Sequence, residues 1–367
     1  MEEENFFFDT MDVESFGVGP DKPYKPRKQK RRKPALPKVQ RTEEEWATIF
    51  ERYPTTEDGY VQSFAPEEPE KYLPCLKKYG IVVIRVLNAQ ECLDSQTALF
   101  EDANSSAPRQ HVKLDQHDPN TWEPENWPSR RKFLLSRLAL HPIAFRNRFH
   151  PNVYRVFCNI YKRQDLWTSI DNWGVMRGTK NLKFKDPDTG EIVTKDRDEW
   201  RYNLKLHWDL NPWKYYTETT TGGHMEQYQA IIAIADCPEE VGGHLTVPGS
   251  TRFLRQWCAE NRKPHNKTIL IRVPDGDKML EYTQRIPLRA GEMVIWNSGQ
   301  AHANFPNMSD KLRLTQFVRM MPALQQSQDR DRFAPKRVMR GKLYEDVDLS
   351  EYNFDEFGQK LVGLKEW

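Results

Sequence analysis

The chain has 367 residues, 38% hydrophobic and 12% aromatic, with 29% charged and a formal net charge of +2. This is enough apolar material for a packed core. No apolar run approaches the ~20 residues of a membrane helix, and the Met1-Glu-Glu-Glu start is the opposite of a basic signal-peptide n-region, so an intracellular protein, cytoplasmic or nuclear, is expected. Five scattered cysteines with no Cys-x-x-Cys pair argue against a disulfide framework and against structural zinc.

Residues 1–41 change character twice. The first 21 carry seven acidic residues and no basic ones, and residues 22–41 carry ten Lys or Arg and no acid. Ten against seven gives this segment +3, so the rest of a +2 chain carries −1. Prolines at 20, 23, 26, 34 and 37 disfavour helix and sheet, which predicts a disordered tail. The run Lys25-Pro-Arg-Lys-Gln-Lys-Arg-Arg-Lys-Pro34 reads in three ways: a nuclear-import signal, an arm for nucleic acid, or a solvated tail. A body that gripped phosphates along a groove would be basic, and this one is not.

Beyond the tail, a loop from Tyr60 leads into a strand over 81–87, followed by a helix over 89–103. Residues 107–132 read as an irregular excursion, and 133–161 as a helix in two pieces broken at His141-Pro142. Next comes a strand over 166–177, then a hairpin over 183–194 around Asp-Pro-Asp-Thr-Gly, placed to act as a lid. The Tyr- and Gly-rich stretch 211–226 is a candidate substrate loop. Strands over 227–236, 268–273, 293–296 and 313–320, with a helix over 253–261, complete a mainly β pattern with flanking helices. Short strands at this spacing predict a double-sheet jelly roll. We expect one catalytic domain over 42–322 and a docking tail over 323–367.

The chemistry concentrates in Leu204-Lys-Leu-His-Trp-Asp-Leu-Asn-Pro-Trp213. On a strand, His207 and Asp209 share one face with Trp208 opposed. A third ligand would complete the two-histidine, one-carboxylate set that holds a non-haem Fe(II) on one face and leaves three positions open. His302, 95 residues after His207, is the candidate, and Arg313 follows eleven residues later.

This ordered set resembles Fe(II)/2-oxoglutarate dioxygenases, and its surroundings resemble the phytanoyl-CoA dioxygenase family. Lys78-Tyr-Gly-Ile-Val-Val-Ile-Arg-Val-Leu87 resembles the opening strand of that family, Gly242-Gly-His-Leu-Thr-Val-Pro-Gly-Ser250 its Gly-rich turn, and Gly291-Glu-Met-Val-Ile-Trp296 the strand before its last histidine. The resemblance covers roughly residues 70 to 322, with an echo in 357–367. It implies a double-stranded β-helix core, with His207, Asp209 and His302 as both catalytic centre and metal ligands. It also implies Fe(II), 2-oxoglutarate and O2 as cofactor and cosubstrates, and a small-molecule substrate. Arg313 would clasp the distal carboxylate of 2-oxoglutarate, because a forked guanidinium matches that group where lysine would not. Thr315, on the same strand face where the family often has Ser, would add a hydroxyl bond. Trp173 and Arg177 are further candidates on the strand expected to line the cosubstrate pocket.

His224 and His244 adjoin glycines near the proposed pocket and are candidates for substrate contact, whereas His111, His117, His141, His150 and His265 read as structural. Trp208 and Trp296 read as packing residues beside the metal. Three alternatives stay open: a nuclear oxygenase acting on nucleic acid or protein, a binding protein without turnover, and a zinc hydrolase. The last leaves Arg313 without a purpose.

Overall fold

The computed structural model describes residues 37–105, 112–128, 133–220, 226–261, 270–323 and 347–367. Two antiparallel sheets face each other. The larger has the spatial order β1 (Ile81–Arg85), β12 (Glu292–Asn297), β8 (Tyr228–Ala233), β14 (Arg313–Val318), β4 (Asn172–Met176) and β2 (Leu134–Leu138). The smaller runs β10 (Ile271–Arg272), β7 (Leu204–Trp208), β13 (His302–Phe305), β9 (Gly243–Thr246) and β11 (Gln284–Arg285). From β7 through β9 and again from β12 through β14, successive strands alternate between the sheets, which is the jelly-roll arrangement. Two short pairs lie outside: β3 (Leu166–Thr168) with β15 (Met320–Pro322), and β5 (Leu182–Lys185) with β6 (Ile192–Lys195).

Burial explains the strand compositions. β8 and β12 lie inside the larger sheet, and Ile231, Ala233 and Val294 pack toward the smaller sheet while Ala230, Ile232, Met293 and Ile295 pack outward. Strands covered on both faces read as continuous apolar runs. The outer face is covered by α2 (Pro69–Tyr79), α3 (Ala89–Ser105) and α5 (Pro151–Tyr161), through residues such as Leu76, Leu99, Val156 and Phe157. The smaller sheet is backed by α1 (Glu43–Ile49), α6 (Pro212–Thr220) and α7 (Ser250–Glu260), with Trp208 and Trp257 rings 4.5 Å apart. Arg41 pairs with Glu260 at 2.8 Å and lies over Trp46, so the chain is anchored to the body just before α1.

Several expectations need correcting. Residues 133–161 are not helical throughout: Leu134–Leu138 joins the edge of the larger sheet beside β4, and two helices follow, α4 (Pro142–Arg148) and α5. The helix-favouring leucines yield to the pairing that the edge offers. Both helices start on His-Pro. The Nδ1 atoms of His141 and His150 accept the backbone N–H two residues on, each at 3.2 Å, and proline occupies the first helical position, where no N–H is needed. The expected loop at 211–226 contains α6, and the expected loop before β1 contains α2, disguised in the sequence by Pro74 inside it. The single strand over 166–177 is two, β3 and β4.

The hairpin forms as β5 and β6, turned by Asp186, whose Oδ1 accepts the N–H groups of Asp188 and Thr189 at 2.9 Å. The last helix, α8 (Glu356–Leu361), and its flanks close against α4 and α5, with the Phe354 ring 4.9 Å from Phe145 and 5.2 Å from Phe149. The tail over 1–36, with its basic run, lies outside the described residues, as do His111, His224 and His265. No helix among the described residues is long and apolar enough to cross a membrane.

Candidate metal centre

His207 on β7 and His302 on β13 are direct cross-strand partners, so their side chains rise from the same face of the smaller sheet with ring centroids 4.6 Å apart. Asp209 follows the last residue of β7 and turns its carboxylate between them. Its Oδ1 lies 3.1 Å from His207 Nε2, and its Oδ2 lies 3.1 Å from His302 Nε2. One ligand atom from each residue falls within 4.8 Å of the others, and no further group of three such residues is found among the described residues.

The other ring nitrogens decide what this cluster can hold. His207 Nδ1 faces the Lys205 carbonyl at 2.8 Å and His302 Nδ1 faces the Gln300 carbonyl at 3.1 Å, each two residues back along its own chain. A ring nitrogen facing a carbonyl must carry the proton, so each neutral imidazole presents an Nε2 lone pair toward the carboxylate. Two lone pairs and an anionic group converging on one point need a positive charge there, either a ring proton or a metal ion. Burial alone would raise the Asp209 carboxyl, but the two imidazoles hold it far below the usual carboxylate range. The donor set of two nitrogens and one oxygen fits a divalent transition metal with open positions.

Arg313 supplies the second half of the site. Burial lowers its pKa from the ordinary value, yet its contacts are two sulfur groups: it donates to Met176 Sδ at 3.7 Å, and the Cys237 thiol lies beside it. Burial pushes the Cys237 thiol upward despite the guanidinium, so no thiolate neutralises the charge. The guanidinium Nε has no hydrogen-bond partner among the described residues. Gly243 makes room for it: a Cβ at that position would sit 2.5 Å from Arg313 Nε, and its φ of +117° suits glycine. A buried cation left with soft neighbours is suited to pair with an anion.

Thr315 shares the inward face with Arg313, and its hydroxyl donates to the Gly174 carbonyl at 3.3 Å. Trp173 is corrected. It pairs in register with Gln316, on the opposite face from Arg313 and Thr315, and its indole N–H donates to Asp102 on α3 at 2.7 Å. Strand alternation turns it toward the helices, so it belongs to the outer layer and not to a cosubstrate pocket. Arg177 lies between the Trp127 and Trp200 rings at 4.8 and 4.5 Å and donates to the Trp122 carbonyl, which makes it a packing residue.

His244 is buried on the face that carries His302, since Thr246 pairs with His302 and His244 lies two residues along. Its ring packs on Trp296 at 4.6 Å. Burial, with the neighbouring His302, Arg313 and His207, drives its pKa well below that of a free imidazole. The carbonyls that fix the ligand tautomers were invisible in the sequence. They follow only from strand geometry, although the Gly-Gly preceding His244 did signal a close approach of backbone to another group.

The chain is similar to several known proteins. A family model described as "Phytanoyl-CoA dioxygenase (PhyH)" matches residues 76–315. A Dictyostelium discoideum protein named "Putative phytanoyl-CoA dioxygenase" is 23% identical over 319 residues, covering 78% of this chain and 85% of its own length. "Ava biosynthesis cluster protein O" of Aspergillus versicolor is 20% identical over 246 residues, 63% of this chain and 69% of that one. The structure of GlcNAc Inducible Gene 2 from Candida albicans superposes with a TM-score of 0.57 at 13% identity, covering 88% of this chain and 83% of that one, which is a likeness of fold.

Proposed function

The chain belongs to the phytanoyl-CoA dioxygenase family and is a 2-oxoglutarate-dependent non-haem iron dioxygenase, and from that premise we propose that it hydroxylates a C–H bond of a small organic substrate. His207, Asp209 and His302 would hold Fe(II), and Arg313 would receive the distal carboxylate of 2-oxoglutarate. With O2 and 2-oxoglutarate, the bound iron supplies the oxidising chemistry that releases succinate and carbon dioxide and delivers one oxygen atom to substrate. The protein contributes placement. The Lys205 and Gln300 carbonyls fix the ligand tautomers, and the strand pairing sets the ring separation.

The observation that carries this reading is the joint placement of a three-ligand cluster and a fully buried guanidinium that lacks an anionic partner among the described residues. A zinc hydrolase would account for the first and not the second. Five free thiols, three of them buried, support the intracellular setting. Anaerobic titration with Fe(II) and then 2-oxoglutarate, followed by a succinate assay on admitting O2, tests the reading. We expect 2-oxoglutarate binding that requires the metal and succinate formation that requires both. Metal binding with no effect of 2-oxoglutarate would overturn it.

A further inference from the structure

Among the buried side-chain nitrogens that find no hydrogen-bond partner in the described residues, three belong to neighbouring groups around the metal cluster: Arg313 Nε, His244 Nε2 and Trp296 Nε1. They are linked by contact. Trp296 lies 4.6 Å from the His244 ring and 5.3 Å from the His302 ring, and His244 lies 6.0 Å from His302, nearly parallel to it at 17°. On the other side of His244 along β9, the Arg313 guanidinium fills the space that a Cβ on Gly243 would take. His244 therefore stands between the metal ligands and the anion receptor, on the face of the sheet that carries His302.

A ring nitrogen so placed is expensive unless something bonds to it. His244 is 3% exposed, and none of the described residues forms a hydrogen bond with its ring. An unsatisfied buried polar atom is destabilising, and phenylalanine would pack against Trp296 without that penalty. The neighbouring orphan atoms have the same need, and all three nitrogens can donate. One ligand with acceptor oxygens lying between the metal cluster and Arg313 would answer them together.

We propose that His244 is a cosubstrate-binding residue, with Nε2 donating a hydrogen bond to an oxygen of the 2-oxo diacid held between the metal cluster and Arg313, and with Trp296 as the plate that fixes the ring. This rests on the dioxygenase reading of the site. A neutral imidazole carries one N–H, and no protein acceptor competes for it among the described residues.

The test is calorimetric titration of 2-oxoglutarate into the anaerobic, Fe(II)-loaded full-length protein, with Fe(II) affinity and thermal midpoint measured separately. His244→Phe keeps a ring against Trp296 and removes the donor, whereas His244→Gln restores an amide N–H at similar reach. We expect His244→Phe to raise the 2-oxoglutarate Kd by about tenfold or more, one hydrogen bond to a charged group, while Fe(II) affinity and the midpoint hold. His244→Gln should recover most of that loss. A Phe variant that binds like wild type overturns the proposal, and so does an equal loss in both variants, which would mean that the ring acts by packing. Failure of the wild-type protein itself to bind 2-oxoglutarate would overturn the dioxygenase reading and this proposal with it, a result separable from any effect of position 244.

Discussion

Arg148 and Arg313 are both fully buried guanidinium groups on opposite sides of the larger sheet, and they serve opposite ends. Arg148, at the end of α4, donates from both terminal nitrogens to the carbonyls of Ala139 and Asp171, each at 2.7 Å, and so joins the helix layer to the loops around β2 and β4. Arg313 looks the other way, into the space between the sheets, where among the described residues the sulfurs of Met176 and Cys237 are the groups its N–H donors meet. Burial lowers the pKa of both, to about 10 for Arg148. Burial of a cation therefore does not identify a binding residue; what its N–H groups reach does.

Four substitutions would break or sharpen that contrast, and the largest effect belongs to the proposed metal ligands beside Arg313. Asp209→Ala should abolish Fe(II)-dependent succinate formation, a loss beyond the ~10–100-fold that outer partners of a metal site usually cost, read by stopped succinate assays at saturating Fe(II). Retained turnover would show that the cluster is not the metal site. The paired test of the two arginines comes next. Arg313→Leu should weaken 2-oxoglutarate by at least ~30-fold, from the 2–5 kcal/mol that truncating one partner of a buried charge pair costs, while leaving the unliganded protein as stable as before or more so. Arg148→Leu should do the reverse, leaving two carbonyls unsatisfied and lowering stability by about 1–3 kcal/mol each in urea unfolding, with cosubstrate affinity unchanged in the folded fraction. Equal effects of the two changes on binding would dissolve the distinction. The smallest effect concerns Trp173→Phe, which removes the indole donor to Asp102: stability should fall by about 1 kcal/mol and 2-oxoglutarate affinity should not move. A shift in affinity would return Trp173 to the pocket.

The parts of this molecule that could be read without coordinates are those where chemistry forces residue type and spacing together. His207, Asp209, His302 and Arg313 could be named because a facial ligand set and a carboxylate fork admit few substitutes, and β1, β8 and β12 lie where mostly apolar runs predict buried strands. The failures have physical causes. Leu-Leu-Ser-Arg-Leu has the composition of a helix and became a strand because β4 had a free edge. Pro74 masked α2, although the helix tolerates it on a chain already packed against β1. Trp173 was assigned to the pocket because strand membership was legible and strand facing was not. One residue of register separates Gln316, its partner, from Thr315, which faces inward. The Lys205 and Gln300 carbonyls were out of reach for a simpler reason: backbone atoms have no letter in a sequence.

Because two of the three ligands are directly opposed cross-strand partners, the distance between them is a property of the pleat and owes nothing to the length of chain that separates them. Connections within those intervening residues can grow, shrink or be exchanged without altering the spacing at the iron. Diversification of what such an enzyme accepts is thereby uncoupled from upkeep of its oxidising centre. A single-residue slip between β7 and β13 would have the contrary result, turning one imidazole to the far side of the sheet and ending catalysis at a stroke.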